Sequence, residues 1–218
     1  MEKSLERGMD LIALCDHNSA ENVGAAMRAG LKRGLHILPG IEVSSREEVH
    51  VLAIFDTEEQ AIRMQEIIYR HLKGTNRPEI FGDQVVANEF DEVECFNDRL
   101  LIGAVQLELQ GLVKEVHRLG GLCIASHVDR PAFSILSQLG FIPKDLPLDA
   151  LEISRHQKAD SLNKEIPGLE GFTIVAFSDA HFLDDIGRPY SSFFLEAPNV
   201  HEIRMALRQE TGRRAFSS

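Results

Sequence analysis

Short apolar runs alternate with amphipathic stretches along this chain, and most of the apolar runs end in a residue able to bind a cation. Residues 11–15 (Leu-Ile-Ala-Leu-Cys) lead into Asp16 and His17, residues 122–126 into His127, and residues 173–178 into Asp179 and His181. Apolar runs of about four to eight residues bounded by turn signals read as buried strands. Residues 35–39 form another such run, interrupted by Pro39-Gly40 just before Glu42. Residues 49–55 follow a polar link at 44–48 and carry His50 near their start, so these two runs deliver Glu42 and His50 to a common edge. Further strands are predicted over 148–153 and 172–177.

Helical periodicity fills the intervals. Residues 18–33 open on a cap at Asn18 or Ser19 and stop at Gly34. Residues 57–73 place Ile62, Met64, Ile67, Ile68 and Leu72 on one side. Helices are also predicted over 106–119, 132–139, 160–165 and 200–209. Strand and helix therefore alternate, which predicts a parallel α/β architecture in a single domain over residues 1–218. In a barrel of parallel strands the loops at the carboxyl ends converge on one face, so distant residues can meet there.

Two stretches break the rhythm. Residues 73–99 include V-V-A-N-E-F-D-E-V-E-C-F, two short strands around a turn at Asn88, which predicts a hairpin or lid inserted at about 73–100. Residues 1–7 read as the end of a helix, with Leu5 and Met9 apolar and Gly8 as its stop. A helix that feeds a buried parallel strand normally has a strand before it. The expectation is therefore that the sequence starts partway into a βα unit.

Composition narrows the partners. The 218 residues carry a formal net charge of -11, which excludes a broad positive footprint for nucleic acid or anionic lipid. Bound divalent cations reverse that sign locally and leave room for an anionic substrate. Cys15, Cys95 and Cys123 form no CxxC pair or disulfide framework, the N-terminus has no apolar leader, and no run approaches the ~20 apolar residues of a membrane span. A cytoplasmic protein without a membrane partner is expected.

The chemistry rests on the strand-end set. Histidine and carboxylate ligands together suit zinc, manganese or iron, and a carboxylate can bridge two ions. Asp16 is a candidate catalytic residue as an orienting partner for a ligand histidine, with a turn role as the alternative. Arg130 and Arg155 follow strands and offer bidentate forks for a substrate phosphate, with an exposed ion pair as the alternative, and Arg130 joins Asp16 as a candidate catalytic residue. His156, next to Arg155, is a lesser candidate for proton transfer.

Taken together, I-A-L-C-D-H-N, G-I-E-V-S, H-V-L-A, A-S-H-V-D-R-P and F-S-D-A-H resemble the PHP superfamily (polymerase and histidinol phosphatase), in that family's order. The resemblance implies a distorted (β/α)7 barrel holding up to three divalent ions, with phosphoester hydrolysis by metal-bound hydroxide. It implies that His17 and His181 ligate one ion and that Glu42, His50 and His127 ligate a second. Glu42 would bridge onward to a further ion, which Asp179 also binds. The family's opening D-L-H-x-H motif has no counterpart, so the first strand is expected to be missing from this chain and fewer ions to be held. The substrate expected is a small phosphorylated molecule or nucleotide, with nucleic acid disfavoured by charge. The alternatives are an inactive remnant that binds metal or a partner, and a metal-dependent amidohydrolase.

Overall fold

The computed structural model describes residues 1–154, 168–169 and 171–217. In chain order the elements are α1 (Glu2–Glu6), β1 (Leu11–His17), α2 (Val23–Leu31), β2 (His36–Ser44), β3 (His50–Ile54) and α3 (Glu58–His71). Next come α4 (Pro78–Phe81), β4 (Val85–Ala87), β5 (Val93–Phe96), α5 (Leu109–Arg118), β6 (Leu122–Ala125) and α6 (Ile135–Leu139). The chain continues through β7 (Ala150–Ile153), β8 (Ile174–Ala176), β9 (Ser191–Phe194), α7 (Val200–Leu207) and β10 (Arg214–Ser217). The helix expected over 160–165, like Arg155 and His156, lies outside the described residues.

Six strands form one curled half-barrel sheet in the order β1-β2-β3-β6-β7-β8. The expected all-parallel arrangement is corrected here. β1 and β2, β6 and β7, and β7 and β8 are parallel, but β3 runs antiparallel to both β2 and β6. The reason is the short link between Ser44 and His50, too short for the crossover that parallel neighbours require. The reversal matters for chemistry, because it brings the first residue of β3, His50, opposite Ser44 at the end of β2. Had β3 run parallel to β2, His50 would lie at the far end of the sheet.

A second correction concerns β2, which passes through Pro39-Gly40 without a break. Proline can donate no ladder hydrogen bond, but the Pro39 carbonyl accepts from the Phe55 N–H at 2.9 Å. Gly40 is required by close approach: a Cβ there would lie 2.5 Å from Cys15 Sγ and 3.2 to 3.3 Å from two carbonyl oxygens. Glu42 therefore sits within a strand, not in a loop after one.

Side chains alternate across the sheet with period two. Ile41, Val43, Val51, Ala53, Cys123, Ala125, Leu151 and Ile153 face the helical layer, where α3 and α5 bury Met64, Ile68, Leu112 and Val116. Each such large side chain removed from water contributes about 1.5 to 3 kcal/mol. Thr57 and Gln60 close a reciprocal capping box at the start of α3, which sets the helix in register with its apolar side. The opposite, concave face carries Leu38, Ile54, Leu122, Ile124, Ala150 and Val175, with Leu11, Cys15, Leu52 and Phe177 only partly buried beside them.

The excursion after α3 contains the antiparallel pair β4 and β5. It docks at the strand-end face, where the Asn22 side chain donates to the Val85 carbonyl and accepts from the Ala87 N–H. A second two-stranded antiparallel sheet, β9 with β10 joined through α7, was not anticipated from the sequence. Among the described residues no helix is long and apolar enough to cross a membrane.

Candidate metal centre

The concave face ends in a cluster of polar side chains that the same period-two rule selects. His17 shares its side of β1 with Leu11 and Cys15, Glu42 shares its side of β2 with Leu38, and His50 shares its side of β3 with Leu52 and Ile54. Glu42 is the hub, with only 5% of its surface exposed. Its Oε1 lies 3.2 Å from His50 Nδ1 and 3.5 Å from His127 Nε2, and its Oε2 lies 3.3 Å from His17 Nδ1. The ring centroids of His17 and His50, and of His50 and His127, are each 5.4 Å apart.

The backbone around the cluster is held in place. Asn18, in the left-handed region at φ 51, donates from Nδ2 to the carbonyls of Leu101 and Gly103 at 2.7 Å, tying the turn after His17 to the end of the excursion. His50 donates its backbone N–H to the Phe133 carbonyl, and its ring stacks on Phe133 at a centroid distance of 4.8 Å. His127 adopts φ 31, a conformation that costs about 1 kcal/mol or more outside glycine.

Asp179 and His181 arrive from the loop after β8. The His181 ring is exposed, with its centroid 6.1 Å from that of His17. Arg130 Nη1 bonds Asp179 Oδ2 at 2.6 Å, while Asp179 Oδ1 lies 3.7 Å from His181 Nδ1. Asp16 turns to Asn22, whose Nδ2 donates to Asp16 Oδ2 at 3.1 Å. Its carboxyl is raised, first by burial, against the lowering effect of the Asn22 hydrogen bond. The structure thus gathers His17, Glu42, His50, His127, Asp179, His181 and Arg130 at one face, and sets Asp16 beside them, bonded to the turn.

Glu152 was missed by sequence reasoning. It lies on β7, 1% exposed, and its Oε2 accepts the His127 backbone N–H at 3.2 Å. Burial, joined by the charges of Asp179 and Glu42, pushes its carboxyl up to about 8 against that hydrogen bond. The signal was present in A-L-E-I, where alternation puts Leu151 and Ile153 toward the helices and Glu152 toward the concave side.

Electrostatics prepare the cluster for a cation. Burial would raise the Glu42 carboxyl, but the hydrogen bonds of His127 and His50 and the proximity of His17 outweigh it and hold the group well below the usual carboxylate range. Burial lowers the His17 imidazole, which favours the neutral ring a metal needs. One ligand atom from each of His17, Glu42 and His50 can be chosen so that all lie within 4.8 Å of one another. Ligands on a tetrahedral ion with bonds near 2 Å are about 3.3 Å apart. The 3.2 Å from His50 Nδ1 to Glu42 Oε1 and the 3.3 Å from His17 Nδ1 to Glu42 Oε2 each match that spacing for one pair, to different oxygens, and the donor set of imidazole nitrogen and carboxylate oxygen suits zinc, manganese or iron.

No known family model matches the chain. It is 27% identical over 112 residues to YqxK, an uncharacterized protein of Bacillus subtilis, a stretch covering 49% of this chain and 29% of that protein. Its fold is similar to that of the lesion-specific endonuclease EndoQ from Pyrococcus furiosus, with a TM-score of 0.66 and 18% identity. That likeness covers 98% of this chain and 52% of the endonuclease, so the chain spans about half the length of that neighbour. A protein assigned as a metal-dependent phosphoesterase, from Bifidobacterium adolescentis, matches at TM-score 0.57 and 15% identity, over 96% of this chain and 89% of its own. At these identities the likeness establishes the shared α/β half-barrel fold.

Proposed function

We propose that this chain is a metal-dependent phosphoesterase of the PHP kind, acting on a phosphate ester of a small molecule or nucleotide. The observation that carries the reading is the convergence of His17, His50 and His127 on the buried Glu42 at the strand-end face. The fold shared with an endonuclease and a metal-dependent phosphoesterase supports the same class of chemistry.

In this reading His17, Glu42, His50 and His127, with Asp179 and His181 at the rim, hold zinc, manganese or iron. A bound cation of this kind supplies hydroxide at neutral pH and offsets the charge that develops on phosphorus. Glu42 remains ionised and the half-buried His17 neutral, so both present lone pairs without a prior proton loss. Arg130, partly exposed at the rim, turns its fork to the substrate phosphate. Asp16 acts through Asn22, fixing the turn that aims His17. The hairpin β4 and β5 borders this face and closes over the substrate as a lid.

The reading also expects one more parallel strand, alongside β1. Among the described residues the outer edge of β1 has no partner strand. A cavity of about 940 Å³ runs beneath it, lined by all of β1 and by apolar side chains such as Leu38, Leu52, Ile124 and Phe177. An added strand would fill that space and cover the partly buried apolar groups of the concave face.

The test is metal analysis of purified protein, followed by a panel of phosphomonoesters, nucleotides and lesion-bearing duplex DNA with and without manganese. Metal-dependent release of phosphate, lost in His181→Ala, is the result expected. Turnover unchanged in that variant, or a protein that takes up no divalent ion, defeats the reading.

A further inference from the structure

The hairpin of β4 and β5 docks on the body of the protein through β4. Asn22 donates to the Val85 carbonyl at 3.1 Å and accepts from the Ala87 N–H at 3.0 Å, so the outer edge of β4 is occupied. Among the described residues no strand pairs with the outer edge of β5. Directly opposed residues of an antiparallel pair turn their N–H and C=O groups either both toward each other or both away. Since the Val85 carbonyl points away to Asn22, the residue opposite it, Phe96, offers its own N–H and C=O to the free edge. One face of the hairpin is apolar as well. β4 buries Val86 and turns Val85 outward; Val85 lies opposite Phe96 and Ala87 opposite Val93, and both Phe96 and Val93 are more than half exposed.

Charge restricts what such an edge admits. Residues 78–96 carry Glu79, Asp83, Glu89, Asp91, Glu92 and Glu94 and no lysine, arginine or histidine. Arg28 and Lys32 pair with Glu89, and the remaining carboxylates of this stretch have no cation partner among the described residues. Charged side chains on an exposed edge strand guard it against a second copy, which meets the same sign of charge. Glu92 and Glu94, on either side of Val93, do this here and leave the edge open to the opposite charge. We propose that β5 is a docking edge for an extended, basic and apolar segment of another protein, which adds a third strand to the hairpin. Its backbone pairs with Phe96, its apolar side chains cover Val85, Val93 and Phe96, and its lysines or arginines meet Glu92 and Glu94. Main-chain pairing supplies affinity in complexes of this kind, and the side chains supply the choice of partner. The surface requires no metal, so it stands apart from the phosphoesterase reading.

The experiment follows fluorescence anisotropy of labelled peptides of about ten residues that alternate valine with lysine, or valine with glutamate. The whole chain should bind the lysine peptide and not the glutamate peptide. N-methylation of alternate amides in the lysine peptide removes hydrogen-bond donors and keeps the charge, and it should weaken binding at least about tenfold. Phe96→Ser and Glu94→Lys, both at exposed positions, should each weaken it by a similar factor, about tenfold or more. Glu59→Lys makes the same change of charge on an exposed side chain of α3 and should leave affinity within about twofold. Equal weakening by Glu94→Lys and Glu59→Lys, or indifference to N-methylation, means diffuse attraction to an acidic protein and overturns the docking edge. Absence of lysine-peptide binding overturns it too. Sedimentation equilibrium reads the other occupant: a dimer that Phe96→Ser dissociates shows that a second copy pairs there, and that result also defeats the proposal.

Discussion

Arg130 Nη1 lies 2.6 Å from Asp179 Oδ2, so the guanidinium after β6 neutralises the carboxylate after β8 at the rim of the cluster. The contact joins loops from two different strands and leaves Arg130 partly exposed. A charge-assisted hydrogen bond to phosphate is worth about 1.5 to 3 kcal/mol, or about 10- to 100-fold. Arg130→Ala should raise KM for a phosphoester by about that factor while zinc affinity stays the same. Steady-state kinetics alongside calorimetric zinc titration would check both halves.

Glu42 accepts contacts from three imidazoles and carries the only carboxylate within hydrogen-bond reach of His17 and His50 among the described residues. Glu42→Gln preserves shape and removes charge. Zinc affinity should fall by about 100-fold or more, because the ligand itself is lost and not merely its orienting partner. Competition with a chromophoric chelator reads the change, and affinity within a few-fold of wild type would contradict the hub role.

At Gly40 an added methyl would meet Cys15 Sγ at 2.5 Å. Gly40→Ala should cost about 1 to 3 kcal/mol through overpacking between β1 and β2. Cys15→Ala in the same chain should return part of that loss, since the sulfur is the nearest obstacle. Urea denaturation of the single and double variants gives the coupling directly.

Asp149 lies at the opposite end of the sheet, before β7. Burial would raise its carboxyl, but hydrogen bonds from His117 and the Cys123 N–H, and the Arg204 guanidinium, hold it below the ordinary value. A carboxyl lowered by folding stabilises the protein above its unfolded value of about 3.9, and the contribution disappears as pH falls through the lower folded value. Asp149→Asn should therefore cost about 2 kcal/mol at neutral pH, a low figure for a broken pair because His117 and Arg204 are partly exposed. The gap between variant and wild type should narrow below pH 4. Denaturant melts at pH 7 and pH 3 would test this, and a gap that widens in acid would refute it.

Much of the half-barrel could be read from the chain because local physics repeats in it. Apolar runs marked β1, β6 and β8, and the amphipathic pattern of residues 57–73 marked α3 with its buried Met64 and Ile68. His17, Glu42 and His127 stood out as polar residues ending apolar runs. Glu152 did not, because a lone carboxylate inside a four-residue strand looks like a solvated position until the sheet shows which side faces water. The break expected at Pro39-Gly40 is absent because the neighbouring strands β1 and β3 hold the chain extended through it. Those neighbours are distant in sequence or, for β3, reversed in direction.

Residue order alone determined the alternation of strands and helices, the apolar side of α3 and the set of side chains able to bind a cation, since each depends on spacing within a few residues. Tertiary structure alone decided that β3 pairs with β6, that His50 and His127 share one oxygen of Glu42, and that Glu152 is buried beside them. The reason is that long-range pairing and burial are settled by chain segments far apart, whose meeting depends on how the whole sheet packs against its helices.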